Sequence, residues 1–220
     1  MEEPFGLGHR PVTIDKRSSQ FVIGLTGPLG AGVTTLSRAL EANQFKRISL
    51  SHPIKLALQE RAGIQPNADP DKKYTHDFRR KLQDLGNEMR AESLSYWVDE
   101  AFKPVPPDVN LVVDGIRNLG EIDALRDRYS KFFLIAVHAS RYIRCNRCQA
   151  KYYKNQKDFE RDDERDSDED IKNGQQVEKC VLAADFVFRN EDDAGSSASR
   201  ATTLFQKLAP DIELMRNTDS

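Results

Sequence analysis

The stretch from Phe21 to Leu36, FVIGLTGPLGAGVTTL, constrains this chain more than any other. Phe21-Val22-Ile23-Gly24-Leu25 is apolar, too short for a helix and rich in β-formers, and predicts a buried parallel strand. A glycine-dense turn follows, and Val33 to Leu40 then carries apolar residues at helical spacing. Strand, glycine turn and helix, in that order, are the setting of a phosphate-binding loop. Gly27 and Gly32 stand five apart, and Thr34 holds the place where the motif takes Ser or Thr. Glycines let backbone N–H groups converge on an anion with no Cβ in the way, and the helix N-terminus adds partial positive charge. The cofactor-binding candidates are therefore Gly27, Pro28, Leu29, Gly30, Ala31, Gly32, Val33, Thr34 and Thr35, with Thr34 a ligand for Mg²⁺. One letter departs from the motif. Val33 stands where a lysine would reach the β- and γ-phosphates, so the loop keeps its backbone cradle and loses its cation. The plainer alternative is a strand-to-helix turn with no ligand.

The chain has 220 residues, of which 38% are hydrophobic and 31% charged, which suits one generous domain with a heavily solvated surface. A net charge of −2 points away from a nucleic-acid or membrane surface. No apolar run approaches the roughly 20 residues of a membrane span. The first twenty residues lack an apolar signal core, so the expected location is the cytoplasm. Cys145, Cys148 and Cys180 fit a reducing compartment. Cys145 and Cys148 form C-x-x-C without a second ligand pair, which reads as helix positions ahead of a zinc or redox site.

Residues 1–19 read as a loose tail and 20–220 as one domain. A helix is expected from about Thr34 to Asn43, a strand over Phe45–Leu50, and a helix starting at Ser51 with Pro53 in its first turn. Residues 63–73 form a polar loop. One long helical stretch follows from about Thr75 to Phe102, with Phe78, Leu82, Leu85 and Met89 as its apolar stripe. Asn110–Gly115 and Phe132–His138 are strands, with a helix over Glu121–Tyr129 between them. A helix beginning near Ser140 carries Arg141, Arg144 and Arg147. Lys151 to Asn173 is almost devoid of aliphatic residues and reads either as a solvated loop or as a mobile lid. A helix over Gln175–Ala184, a strand over Asp185–Asn190 and a helix over about Ser197–Leu208 complete the chain. Alternating strands and helices predict an α/β fold with a five-stranded parallel sheet between helical layers, whose ligands sit beyond the C-terminal strand ends.

Asp114 closes the apolar strand LVVD, as the acidic residue of a second phosphate-loop motif does when it orients Mg²⁺; a turn-capping aspartate is the alternative. Arg117 lies three residues on, and Arg79, Arg80 and Arg90 lie on the long helix. Arginine's planar donor fork grips phosphate, although surface ion pairs use it too. Gly86, in mid-helix, suggests a close approach by a ligand or by backbone. Arg161 and Arg165 sit in the acidic segment, where closure would bring them onto transferred phosphate; i,i+4 pairing on a solvated helix is the other reading. His52, His76 and His138 show no metal spacing.

GLTGPLGAGVTT, HDFRRKLQDLGNEMR, LVVDGIRNLGEIDALR and FERDDERDSDE followed by GQQVEKCVLAADFVFRN occur in an order that resembles the P-loop nucleotide kinases. The likeness is to deoxynucleoside monophosphate kinases and archaeal dephospho-coenzyme A kinase-like proteins. It extends to the P-loop domain of anti-phage deoxycytidylate deaminases, although no deaminase zinc signature occurs here. The resemblance covers most of residues 20–190 and implies a three-layer α/β/α P-loop kinase fold with a lid at about 151–173. It implies ATP and Mg²⁺ as cofactors and a (deoxy)nucleoside monophosphate as acceptor. It places Gly27, Gly30, Gly32, Thr34 and Thr35 on the phosphates and Thr34 and Asp114 at the metal. Arg79, Gly86, Arg90 and Arg117 then fall near the acceptor, and Asp114, Arg117, Arg161 and Arg165 assist transfer. The alternative is a catalytically impaired kinase fold that senses nucleotide. A homodimer or a regulatory protein partner is compatible with either reading; no membrane or nucleic-acid partner is expected.

Overall fold

The computed structural model describes residues 20–43, 45–62, 76–105, 109–149, 153, 155–167, 171–191, 199–200 and 203. The tail expected over 1–19, the loop over 63–73 and most of the helix expected near 197–208 lie outside them.

Five strands, β1 (Val22–Thr26), β2 (Lys46–Ser49), β3 (Leu111–Ile116), β4 (Phe132–His138) and β5 (Phe186–Arg189), form a parallel sheet in the order β2-β3-β1-β4-β5. The central strands are near-continuous apolar runs because helices cover both faces. On one face Ile23, Leu25, Val112, Ile135 and Val137 pack against Leu36 and Leu40 of α1 (Val33–Glu41). On the other, Val22, Val113 and Leu134 meet Val98 and Phe102 of α4 (Tyr96–Phe102) and Ile122 and Leu125 of α5 (Leu119–Arg128). This is the expected three-layer α/β/α architecture. The chain leaves β1 toward β2 and β3 on one side and toward β4 and β5 on the other. A crevice opens beyond the C-terminal strand ends at such a reversal.

Between β2 and β3 lie α2 (Ser51–Arg61), α3 (His76–Glu92) and α4. The single helical stretch expected from Thr75 to Phe102 is therefore two helices. Ser93 and Ser95 have their hydroxyls 3.1 Å apart, and Ser95 Oγ donates to the Asp99 carboxylate. Such local bonds compete with helical ones and break the run. The turn folds Trp97 back onto α3, where its Nε1–H donates to the Gly86 carbonyl at 3.0 Å. What approaches Gly86 is thus Trp97, together with Arg90, whose Nη1 lies 3.3 Å from where a Cβ would stand.

After β4 come α6 (Arg141–Gln149), α7 (Gln156–Asp166) and α8 (Val177–Leu182). The acidic segment read as a loop or lid contains the helix α7. Asn155 caps it by accepting from the Asp158 N–H at 3.0 Å. Phe159 is fully buried beside Tyr153, Cys145 and Cys148. Asp162, Asp163 and Asp166 are buried as well. Arginines from α3, α6 and the β3–α5 turn make that burial tolerable.

Candidate functional site

The loop after β1 takes left-handed backbone at Gly30 (φ 80°) and Gly32 (φ 99°), where side chains are rarely accommodated. At Gly27 a Cβ would come within 2.5 Å of the Val137 carbonyl oxygen. Two carbonyls of the loop are pinned from elsewhere. Arg144 Nη1 donates to Leu29 O at 2.9 Å, and Asn190 Nδ2 donates to Ala31 O at 2.7 Å. The nine-residue helix α1 starts directly after Gly32, so its positive end faces the loop. Val33 packs on the apolar core and against Gly27, using the position as packing and not as charge.

The loop borders a cleft of about 780 Å³. Gly27, Val33, Thr34, Thr35, Asp114, Arg79, Arg90 and Arg117 all line it, so residues assigned from three separate stretches of sequence meet. Pro28 to Gly32 are not part of its lining; the side chain of Leu29 joins the Phe159 cluster and Ala31 is fully buried. Gly86 lies beneath Trp97, outside the cleft lining. Arg161 pairs with Asp158 at 3.1 Å on the exposed face of α7, and Arg165 pairs with Asp84 of α3. Neither lines the cleft. Six lining residues are cationic (Arg38, Arg47, Lys55, Arg79, Arg90, Arg117) and two are acidic (Asp114, Glu121), which suits an anionic ligand.

Asp114 sits in β3, two residues before its end, and is 2% exposed. Its Oδ2 accepts from Ser37 Oγ at 2.7 Å, from Arg47 Nε at 2.7 Å, and pairs with Arg47 Nη2 at 2.6 Å. Arg47 Nε also donates to Ser37 Oγ at 2.9 Å. The carboxylate expected to orient Mg²⁺ therefore already holds a cation. A divalent ion about 4 Å from that guanidinium would be repelled by roughly 8 kcal/mol at an effective dielectric of about 20. In this arrangement Asp114 Oδ2 is taken by Ser37 and Arg47, and a metal ion at this carboxylate would have to stand beside the Arg47 guanidinium. Among the described residues, no group of three or more His, Cys, Asp or Glu side chains is placed to hold one.

Asp166 of α7 lies buried behind the opposite wall. It accepts from Arg79 Nη2, from Arg117 Nη1 at 2.8 Å and from Gln83 Nε2 at 2.6 Å. Burial alone would raise its carboxyl, but the Arg79 and Arg117 guanidiniums, with the Arg117 and Gln83 hydrogen bonds, hold it below the usual carboxylate range. Arg90 Nε donates to Glu121 at 2.9 Å in a second buried pair. Glu121 also accepts from the backbone N–H of Arg117 at 2.8 Å and of Asn118 at 3.2 Å, so it fixes the turn that carries Arg117. Arg144 forms a third such pair with Asp163.

Arg47, Ser37, Asn190 and Asp166 were not singled out from the sequence. Ser37, three residues after Thr34, and Asn190, directly after the strand β5, had positional signals; Arg47 and Asp166 had none.

A family model described as an AAA domain matches residues 23–172. The chain belongs to the AAA domain family. This AAA domain is 30% identical over 126 residues to a UPF0200 protein of Pyrobaculum aerophilum, a match covering 57% of this chain. The chain spans 63% of the length of that relative. It is 24% identical over 192 residues to a UPF0200 protein of Methanothermobacter thermautotrophicus, covering 86% of this chain and 90% of that one. A solved protein of Thermus thermophilus shares the fold, with a TM-score of 0.53 and 17% identity over 86% of this chain and 97% of that one. The family match places the chain among the P-loop NTPases. Among its described residues no helix is long and apolar enough to cross a membrane.

Proposed function

We propose that the chain binds ATP through the Gly27–Thr35 loop and transfers its terminal phosphate to a small nucleotide, a (deoxy)nucleoside monophosphate. The observation that carries the reading is the shared cleft: the N-terminal end of α1 and the arginines of α3 and the β3–α5 turn line one cavity. Loop amides and the α1 dipole hold the polyphosphate, with the Thr34 and Thr35 hydroxyls beside it. Arg79, Arg90 and Arg117 orient the acceptor phosphate, and Asp166 marks its seat by placing a carboxylate between two of them. An acceptor oxygen bonds to the γ-phosphorus as the bond to the β-phosphate oxygen breaks. Positioning and charge stabilisation supply the rate, with no covalent intermediate. No step is assigned to a metal, because Asp114 is engaged by Arg47. The segment at about 151–173 acts as the lid, with α7 keeping Asp166 on Arg79 and Arg117.

A second reading, a nucleotide-sensing regulatory module, is favoured by Val33. Coupled turnover assays over a panel of nucleoside and deoxynucleoside monophosphates, run on the natural chain and on Val33→Lys, separate the two. Turnover by the natural chain supports the kinase. Turnover created only by the lysine supports the sensor. ATP binding with no turnover in either protein removes the transfer reading.

A further inference from the structure

The cation missing at position 33 has a counterpart on β2. Arg47 reaches from that strand into the cleft and lies against both the end of β3 and the first turns of α1. Ser37, which accepts from Arg47 Nε, is four residues after Val33 and so one helical turn on, along the same face. The guanidinium thus lies within about one turn of the position a loop lysine would leave from, a rise of about 5.4 Å. Its Nε and Nη2 are held by Ser37 and Asp114, and among the described residues Nη1 makes no hydrogen bond. The side chain is 24% exposed, and Arg47 lines the cleft together with Thr34 and Thr35. Of the other arginines, Arg117 is engaged on Asp166 and Gln175, Arg90 on Glu121, Arg161 on Asp158 and Arg165 on Asp84, while Arg38 of α1 lines the cleft as well but is not held beside Asp114.

We propose that Arg47 is the phosphate-binding cation of this loop, replacing both the lysine absent at position 33 and a divalent ion at Asp114, so that nucleotide binds without Mg²⁺. The inference rests on the loop being a nucleotide site. Asp114 becomes the positioning residue of an arginine. It fixes one edge of the guanidinium and leaves the other for phosphate oxygens, a grip suited to the planar donor fork. A divalent ion at Asp114 would stand beside the Arg47 guanidinium and be repelled by it, so excess Mg²⁺ gives ATP little extra affinity through this site.

Calorimetric titration of the full chain with ATP, once in EDTA and once in Mg²⁺, tests this without any variant. The expected result is affinities equal within about threefold. Arg47→Ala is expected to lose roughly 10- to 100-fold in EDTA, the worth of one charge-assisted contact, and to regain part of that loss when Mg²⁺ is added. Arg47→Lys, which keeps a charge opposite Asp114 if alanine prevents folding, is expected to retain metal-free binding with a smaller loss. Natural-chain binding that requires Mg²⁺, or an Arg47→Ala affinity equal to the natural one in EDTA, overturns the inference and leaves the nucleotide site standing. Absence of binding under both conditions overturns the inference and the proposed function together.

Discussion

Asp166→Asn probes the anion-binding wall most sharply. Asp166 is fully buried, with Arg79 and Arg117 on one oxygen and Gln83 on the other. Asparagine keeps the shape, but either orientation of its amide points an N–H at a donor already in place. Arg79, whose side chain is 8% exposed, is left with a longer ion pair to Asp162 at 3.8 Å. Removing one partner of a buried pair costs about 3–5 kcal/mol. Arg117 is partly solvated, which favours the lower end of that range. At 2–4 °C per kcal/mol for a chain of this size, the melting temperature should fall by about 6–12 °C. Circular dichroism melts measure it, with Glu164→Gln, an exposed position on the same helix, as the control. Loss of the Asp166 charge between the two guanidiniums should also make phosphate stabilise the variant more than the natural chain. The pH dependence has a definite sign. A depressed folded carboxyl stabilises above the ordinary value of about 4, and that contribution disappears as pH falls through the lower folded value. The gap between the natural chain and Asp166→Asn should therefore close in acid. A fall of less than about 2 °C at neutral pH, or a gap that widens in acid, would refute the reasoning.

Asn190→Ala should leave the Ala31 carbonyl without its partner, cost about 1–3 kcal/mol in urea titrations and weaken ATP binding by loosening the loop. Equal ATP affinity in a measurably destabilised variant would confine Asn190 to a structural role. Burial pushes the Cys148 thiol up to about 11 and the Cys180 thiol to about 12. Both should therefore resist iodoacetamide at pH 8 in the native chain and react once it is unfolded, as read by peptide mass spectrometry.

Local pattern made much of this molecule legible. The apolar runs of β1, β3 and β4, the glycine loop and the aspartate late in β3 each announce themselves within a few residues. Their meeting at one crevice follows from sheet topology. What escaped depends on distant partners. Asp162, Asp163 and Asp166 look solvated because hydropathy counts them as surface, yet they are buried against Arg79, Arg117 and Arg144 from other elements. Arg47 is ordinary in its own strand and acquires a role only beside Ser37 and Asp114, 10 and 67 residues away. The break between α3 and α4 was hidden because the serines interrupt an otherwise helical run, and the reward for turning there is Trp97 on Gly86.

The central claim is that the loop after β1 holds nucleotide phosphate, and an amide chemical-shift titration of the full chain with ATP tests it most directly. The account predicts saturable shifts in the backbone amides of Gly27, Gly30, Gly32, Val33, Thr34 and Thr35, with side-chain shifts at Arg47. An ATP titration that leaves those amides unmoved, with no change in melting temperature, would contradict it.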